Sequence, residues 1–425
     1  MTKCNQFEFE YRQNHLFCED CRVDEIIKKH GTPLYVYSRS NIVEQFKQMT
    51  RAFGTHTHVV CYSVKANSNG AILKTLVNLG AGMDVVSGGE LRRALNVGCD
   101  PKKIVYSGVG KTANEIRFAI QTGILQINCE SEQELSTIQN IASSLNIKAP
   151  VALRVNPDID PKTHPYISTG LKENKFGISH LKAVSVYKSA LSMSHIEITG
   201  ISCHIGSQIL ECEPFRNAMI KLKDIINQLA AINIPVKNVD VGGGLGIIYN
   251  NENPLTATDY ARAITEPLTG LDCTILLEPG RFIVGNAGIL VTKVIYVKEG
   301  DHKEHFTIVD AAFNDLKRPM LYGAYHEIIP VMVSPEKKTI TTNIEGPICE
   351  TTDRFARHRE MQPTEPGEYL AIMSTGAYGM SMACTYNSRG RPAEVLVKGD
   401  QFFLVRKADS IEDITHNEIM PGFLT

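Results

Sequence analysis

Eight short β-rich runs recur through the first part of this chain, at 59–62, 82–86, 104–107, 125–128, 151–155, 200–204, 239–241 and 274–277. Between them lie stretches with helical spacing of apolar residues, among them 71–79, 131–145 and 215–229. Strand and helix alternating eight times predicts a (β/α)8 barrel, with a doubly wound open sheet as the other solution. The barrel carries a corollary, because reactive residues of such barrels collect where the strands end. Lys65, Asp84 with Ser87, Arg154, His204, the glycine run 242–246 and Glu278 all fall at or just past the C-terminal ends of these runs. That agreement constrains the fold more tightly than the number of helices does.

After Arg281 the pattern changes to strands at 289–297, 305–309, 327–333, 394–397 and 401–405. Turn residues separate them, as in Glu299-Gly300-Asp301 and Lys398-Gly399-Asp400, which predicts a mostly antiparallel second domain. A chain of 425 residues is in any case too long for one ordinary core. The net charge of −2, with both signs interspersed, gives no footprint for nucleic acid or for an anionic membrane. No run is long and apolar enough to cross a bilayer, and the polar stretch from Met1 to Glu10 does not read as a signal peptide, so a cytoplasmic protein is expected. The eleven cysteines are scattered, several inside apolar runs (Cys61, Cys203, Cys273), where small buried thiols are the ordinary role. Cys18-x-x-Cys21 is half of a zinc pattern with no second pair, so no metal site is expected.

Three segments bear on chemistry. In Tyr62-Ser63-Val64-Lys65-Ala66-Asn67 a lysine leaves a strand end for a partly dry site. Lost solvation of the ammonium lowers its pKa and frees the amine to attack carbonyls, which is Schiff-base chemistry. Standing alone, such a lysine is more often one that simply turns to solvent. Gly242, Gly243 and Gly244 permit close backbone approach and converging N–H donors, as a phosphate requires. They are not a dinucleotide fingerprint, because a polar loop at 250–253 follows rather than a helix. Glu278 follows Thr274-Ile275-Leu276-Leu277, and a carboxylate there needs a cationic partner, either a ligand or Arg281.

Taken in order, the Lys65 segment, His204-Ile205-Gly206-Ser207, the run Gly242-Gly243-Gly244-Leu245-Gly246 and Glu278-Pro279-Gly280-Arg281 resemble the fold type III, alanine-racemase-like pyridoxal-phosphate decarboxylases. The resemblance covers essentially the whole chain. The stretch from Arg154-Val155-Asn156-Pro157 through His164 to Gly170 and on to Lys175-Phe176-Gly177 is similar to the diaminopimelate decarboxylase branch. This resemblance implies a cofactor barrel over 31–281 and a β domain assembled from 1–30 and 282–425. It implies pyridoxal 5'-phosphate held by Lys65, with Glu278 at the pyridine nitrogen and His204 stacked on the ring. Ser207, Gly243, Gly244 and Gly280 are the implied phosphate donors, with Asp84, Arg281 and Tyr378 also at the cofactor. In Gly346-Pro347-Ile348-Cys349-Glu350-Thr351-Thr352-Asp353, the implied proton donor is Cys349, and Glu350 contacts substrate. Relatives that decarboxylate ornithine usually carry aspartate at the matching position, so glutamate favours a different far group. Arg318, Tyr322, Arg281 and Tyr378 are implied at the substrate, the first two at its far carboxylate.

The implied reaction is decarboxylation of meso-2,6-diaminopimelate to L-lysine and carbon dioxide, the last step of lysine biosynthesis. A homodimer with shared active sites is implied, with the Cys349-Glu350 segment set against the partner's barrel. Within the same cofactor class, a decarboxylase for ornithine, lysine, arginine or carboxynorspermidine and an amino-acid racemase stay open. From another class, so does a pyridoxal-phosphate carrier without turnover, although it would need neither the Cys349-Glu350 segment nor a β domain.

Overall fold

The structure is a computed structural model that describes residues 5–6, 8–161, 170, 174–301 and 304–424. Two compact units divide the chain, one of residues 43–248 and 252–283, the other of 1–42, 249–251 and 284–425. The helix Arg39–Ala52 begins in one unit and ends in the other.

In the first unit eight strands form one parallel sheet: β1 His58–Ser63, β2 Gly82–Val85, β3 Ile104–Tyr106, β4 Gln126–Cys129, β5 Ala149–Asn156, β6 Ile196–Ser202, β7 Asn238–Asp240 and β8 Thr274–Leu277. Each pairs with the next in the chain, and β8 returns to β1 through Ile275 opposite His58. That last pairing closes the barrel and excludes the open sheet. Helices follow the strands, and several start with a side-chain cap where a strand has just ended. Asn69, Ser87, Thr112, Ser131 and Thr256 each accept an amide of the first helical turn. Such caps contribute about 1 kcal/mol apiece and fix where the chain reverses. After β8 the chain makes only a single helical turn, Arg281–Val284, instead of a full eighth helix, because it enters the long strand Gly288–Glu299.

The barrel interior is not purely aliphatic. Alternate residues of a strand share a face, and on β4 and β7 the residues Gln126, Asn128, Asn238 and Asp240 are all buried. They satisfy one another: Asn238 Nδ2 donates to Gln126 Oε1 (3.0 Å), Gln126 Nε2 to Asn128 Oδ1 (2.9 Å), and Asn128 Nδ2 to Asp240 Oδ2 (2.7 Å).

In the second unit the strands Arg354–Met361, Ile340–Glu345, His305–Val309, Gly288–Glu299, Leu34–Ser38, Ala393–Lys398 and Gln401–Arg406 lie side by side in that order. The short strands Ile328–Pro330 and Tyr369–Ile372 attach to it, and two of the pairings, Leu34–Ser38 with Ala393–Lys398 and His305–Val309 with Ile340–Glu345, are parallel. The strand expected at 327–333 is reduced to Ile328–Pro330. A four-stranded meander over residues 5–22 packs Phe9, Leu16 and Cys18 onto Val36, Ile289, Val291 and Val395 of that sheet. Glu19, buried at the turn of this meander, accepts from Ser38 Oγ and the Ser40 amide with one oxygen (both 2.8 Å) and from the Gly399 amide with the other (2.6 Å). Cys18 and Cys21 face each other across that turn as buried free thiols. Among the described residues no helix is long and apolar enough to cross a membrane.

Candidate active site

Lys65 lies in the single turn Val64–Ala66 that terminates β1, with its side chain about one third exposed. Its Nζ donates to Asp84 Oδ2 at 2.7 Å, and Ser63 Oγ donates to the same oxygen at 2.5 Å. Asp84 comes from the end of β2 and is fully buried, and its Oδ1 has no hydrogen-bond partner among the described residues. Ser87, three residues on, caps the helix Gly88–Asn96 by accepting from the Glu90 amide.

Glu278 ends β8 with 7% of its surface exposed. Its Oε1 accepts from Ser107 Oγ (3.1 Å) and Asn128 Nδ2 (3.4 Å). Asp240 lies beside it, its Oδ1 accepting from the Gly242 amide at 3.0 Å. Burial pushes both carboxyls upward: Asp240 reaches about 6, while Glu278 goes well above the carboxylate range by burial and then by the charges of Asp240 and Asp84. Lys65 and Arg154 are the cations that pull Glu278 back.

His204 follows β6 and is half-buried. Its Nδ1 lies 3.2 Å from the Gly243 amide, which can only donate, so Nδ1 is the acceptor and Nε2 carries the ring proton. Burial, reinforced by the charges of Arg154 and Lys65, lowers its pKa well below the usual histidine value, so the ring is neutral. The glycines beside it are sterically required. A side chain on Gly242, at φ +67°, would meet the Cys203 carbonyl at 2.7 Å, and one on Gly243 would meet the Glu278 carbonyl at 2.2 Å. Arg281 turns toward Ser207, donating to its Oγ from Nε (3.3 Å) and Nη2 (3.0 Å). Gly280 packs so closely that an added Cβ would lie 2.9 Å from that of Ala66. Arg154, on β5, pairs with buried Glu130 at 2.8 Å and lies over the Phe176 ring, while Glu130 also accepts from the Gly177 amide at 2.8 Å. The expected polar loop thus has a buried anchor at its C-terminal end; residues 162–169 and 171–173 of it lie outside the described residues.

The remaining expected residues belong to the second unit. Arg318 opens the short helix Arg318–Tyr322, is 6% exposed, lies 4.4 Å above the Tyr249 ring and donates from Nη1 to His326 Nε2 at 2.8 Å. Tyr322 at the end of that helix is half-buried. Cys349 and Glu350 are exposed in a turn, and Glu350 accepts a hydrogen bond from Tyr386 Oη. Asp353 holds that turn from below: its Oδ1 accepts from the Phe313 amide and its Oδ2 from the Ile348 amide, both at 2.7 Å. Tyr378 takes the left-handed backbone conformation, φ +57°, between Gly376 and Gly379. For a bulky residue this conformation is costly and is kept where the surroundings demand it.

In the barrel unit Asp240, Ser107, Asn128 and Glu130, and in the second unit Tyr249, His326 and Asp353, neighbour the expected residues of their own unit without having been singled out from the sequence. For Asn128 and Asp240 a signal was present, since polar side chains two apart from Gln126 and Asn238 share one face of an otherwise apolar run.

Residues 39–285 match the family described as pyridoxal-dependent decarboxylase, pyridoxal binding domain. The diaminopimelate decarboxylase of Pseudomonas aeruginosa is 48% identical over 413 residues, covering 96% of this chain and 98% of the relative. Among solved structures, diaminopimelate decarboxylase from Helicobacter pylori complexed with L-lysine superposes with a TM-score of 0.90 at 44% identity, covering 92% of this chain and 98% of the other. The enzyme from M. jannaschii, in co-complex with L-lysine, gives 0.93 at 39% identity, covering 98% and 99%. Identity of this order over nearly the whole of both chains, on a closed barrel with the lysine and the buried glutamate at its strand ends, leaves one conclusion: the chain belongs to the diaminopimelate decarboxylase family of pyridoxal-dependent decarboxylases.

Proposed function

We propose that this protein decarboxylates meso-2,6-diaminopimelate to L-lysine and carbon dioxide, the last step of lysine biosynthesis, with pyridoxal 5'-phosphate as cofactor. Family membership supports the reaction, and so do two relatives solved with L-lysine, which is the product. The observation that carries the cofactor is the buried carboxyl Glu278 beside Asp240 and Asp84, opposite Lys65. Three carboxyls with few compensating cations fit a protonated ring nitrogen, and the unpartnered Asp84 Oδ1 marks polar capacity left over at the same place. The residues present therefore suit the group.

Lys65 Nζ would hold the cofactor, Glu278 its ring nitrogen, the neutral His204 ring one face, and Ser207, Gly243, Gly244 and Gly280 its phosphate. When bound, pyridoxal phosphate supplies an electron sink for the pair released as the bond from Cα to the carboxylate breaks. Asp84 Oδ2 keeps Nζ aimed through its 2.7 Å contact. Glu278, basic because buried, keeps the ring nitrogen protonated. His204 offers a face and no acid, since Nδ1 accepts from Gly243 and its pKa is depressed. Cys349 Sγ, or a donor near it, would return a proton to Cα once carbon dioxide has left. Arg281, Arg318, Tyr322, Glu350 and Tyr378 bind the rest of the substrate, Arg318 with a planar fork suited to a carboxylate.

The active unit is a cytoplasmic homodimer in which Cys349 and Glu350 complete the partner's site. Hybrids of Lys65→Ala and Cys349→Ala chains should then recover roughly a quarter of full activity under two-fold symmetry, whereas confirmed hybrids without recovery would put both residues in one subunit's site. The reaction itself is tested by a panel of diaminopimelate stereoisomers and ornithine with carbon dioxide detection. Lysine formed from the meso isomer supports it, and turnover of ornithine alone would overturn it.

A further inference from the structure

We propose that His326 is a specificity-determining positioning residue: together with Tyr249 it fixes the plane of the Arg318 guanidinium, and that plane selects a substrate whose far end carries a carboxylate. The inference rests on the assignment of Arg318 to the far carboxylate.

An arginine side chain has about 2 kcal/mol of rotamer freedom to lose, so recognition through it depends on what holds it still. Here the holding groups are buried with it. His326 is fully buried and Tyr249 is 7% exposed. Pairing of the strands Ile328–Pro330 and Tyr369–Ile372, extended by the Met373 amide donating to the Glu327 carbonyl at 2.8 Å, sets His326 beside Met373. His326 Nδ1 lies 2.8 Å from the Met373 carbonyl, which can only accept, so Nδ1 bears the proton. Nε2 is left as a lone-pair acceptor, and Arg318 Nη1 donates to it at 2.8 Å. The ring must be neutral for this bond to exist. Tyr249 meets His326 edge to face at 5.4 Å and lies under the guanidinium at 4.4 Å. One face of the guanidinium is thus on an aromatic ring and one N–H is committed to His326. The fork can then meet both oxygens of a carboxylate only in the plane these two residues impose.

The test uses the full-length holoenzyme and two ligands that need no turnover, L-lysine, which carries the far carboxylate, and cadaverine, which lacks it. Binding is measured by calorimetry, alongside KM and kcat for diaminopimelate. His326→Leu and Tyr249→Leu should each weaken L-lysine by about tenfold or more while changing cadaverine by about twofold at most, as expected for losing a hydrogen bond to a charged group in the first variant and a desolvated cation–π contact in the second. The loss should appear in KM more than in kcat. His326→Gln, whose Oε1 can accept from Arg318, should recover most of the affinity for L-lysine. Equal weakening of both ligands, or failure of the glutamine variant to recover selectivity, overturns the proposal. Arg318→Ala separates the two levels. If it weakens both ligands alike, the assignment of Arg318 itself fails. If it discriminates between them and neither leucine variant does, only the role of His326 and Tyr249 fails.

Discussion

Replacing Asp353 with alanine should loosen the turn that carries Cys349 and Glu350. Its carboxylate, 3% exposed, accepts from the amides of Phe313 and Ile348 at 2.7 Å each, and these come from two segments of the chain. Both residues are themselves buried, so alanine leaves two N–H groups without a partner. Each such group costs about 1–3 kcal/mol, or roughly 2–6 kcal/mol together. Water entering the space left by the carboxylate offsets part of this, so about 3 kcal/mol is expected. Asparagine keeps one acceptor and presents an N–H to the other amide, so its loss should be about half as large. Burial holds the Asp353 pKa up even against the two amide bonds, which accords with so dry a position. Three readouts apply: urea denaturation, hydrogen exchange at the Phe313 and Ile348 amides, and the rate at which Cys349 reacts with a thiol reagent. Cys349 is the exposed cysteine among the described residues, so a Cys349→Ser control isolates its signal. Exchange and thiol reactivity should rise together, and kcat should fall about tenfold or more, equivalent to about 1.4 kcal/mol. An alanine variant with wild-type stability and wild-type turnover would refute the reasoning.

Lys65→Ala should abolish the yellow colour of the holoenzyme, and borohydride reduction of the wild type should label the peptide containing Lys65; a label on another lysine would move the attachment site. Glu278→Gln should keep cofactor but lose on the order of a hundredfold in rate, because a neutral amide cannot hold a ring nitrogen protonated, and an undiminished rate would shift that role elsewhere. Asp315, buried at 1% exposure, is pushed from 3.8 up to about 7 by burial. The folded state therefore keeps a proton that the unfolded chain has lost, so the stability from this group is complete below about pH 4 and disappears as pH rises through about 7. The shift of about three units corresponds to at most roughly 4 kcal/mol. Urea titrations of wild type and Asp315→Asn across that range should show the difference between them shrinking or reversing in the variant's favour as pH rises, and a difference independent of pH would refute it.

The barrel was legible because its strands are compact runs of β-branched and aliphatic residues whose ends carry reactive side chains, and β1, β5 and β8 fall within a few residues of their expected positions. What the runs could not reveal is which interior side chains meet. Asn128 touches Asp240, 112 residues away, and Glu278, 150 away, and only closure of the sheet brings the three together. Strands such as Ile340–Glu345 and Arg354–Met361 escaped notice because threonine, arginine and glutamate interrupt their alternation near the margin of the sheet. Leu34–Ser38 is buried at all five positions, and its partners lie some 250 and 360 residues further along, so nothing local announces it. His326 looks like any core histidine until Arg318 is seen against it.

The three bonds to Glu19 have a consequence for biosynthesis. Two of their donors, Ser38 and Ser40, leave the ribosome soon after Glu19, but the third, the Gly399 amide, is 380 residues downstream. At about 5–20 residues per second that is a delay of roughly 20–80 s. Through this interval Phe9, Leu16 and Val23 have no Val395 or Val397 to pack against, although all of them end in one core. The sequence of the barrel is complete long before that wait ends. Translation speed over the last third of the message, and whatever shields an apolar hairpin in the meantime, should therefore govern the yield of this protein more than the barrel does.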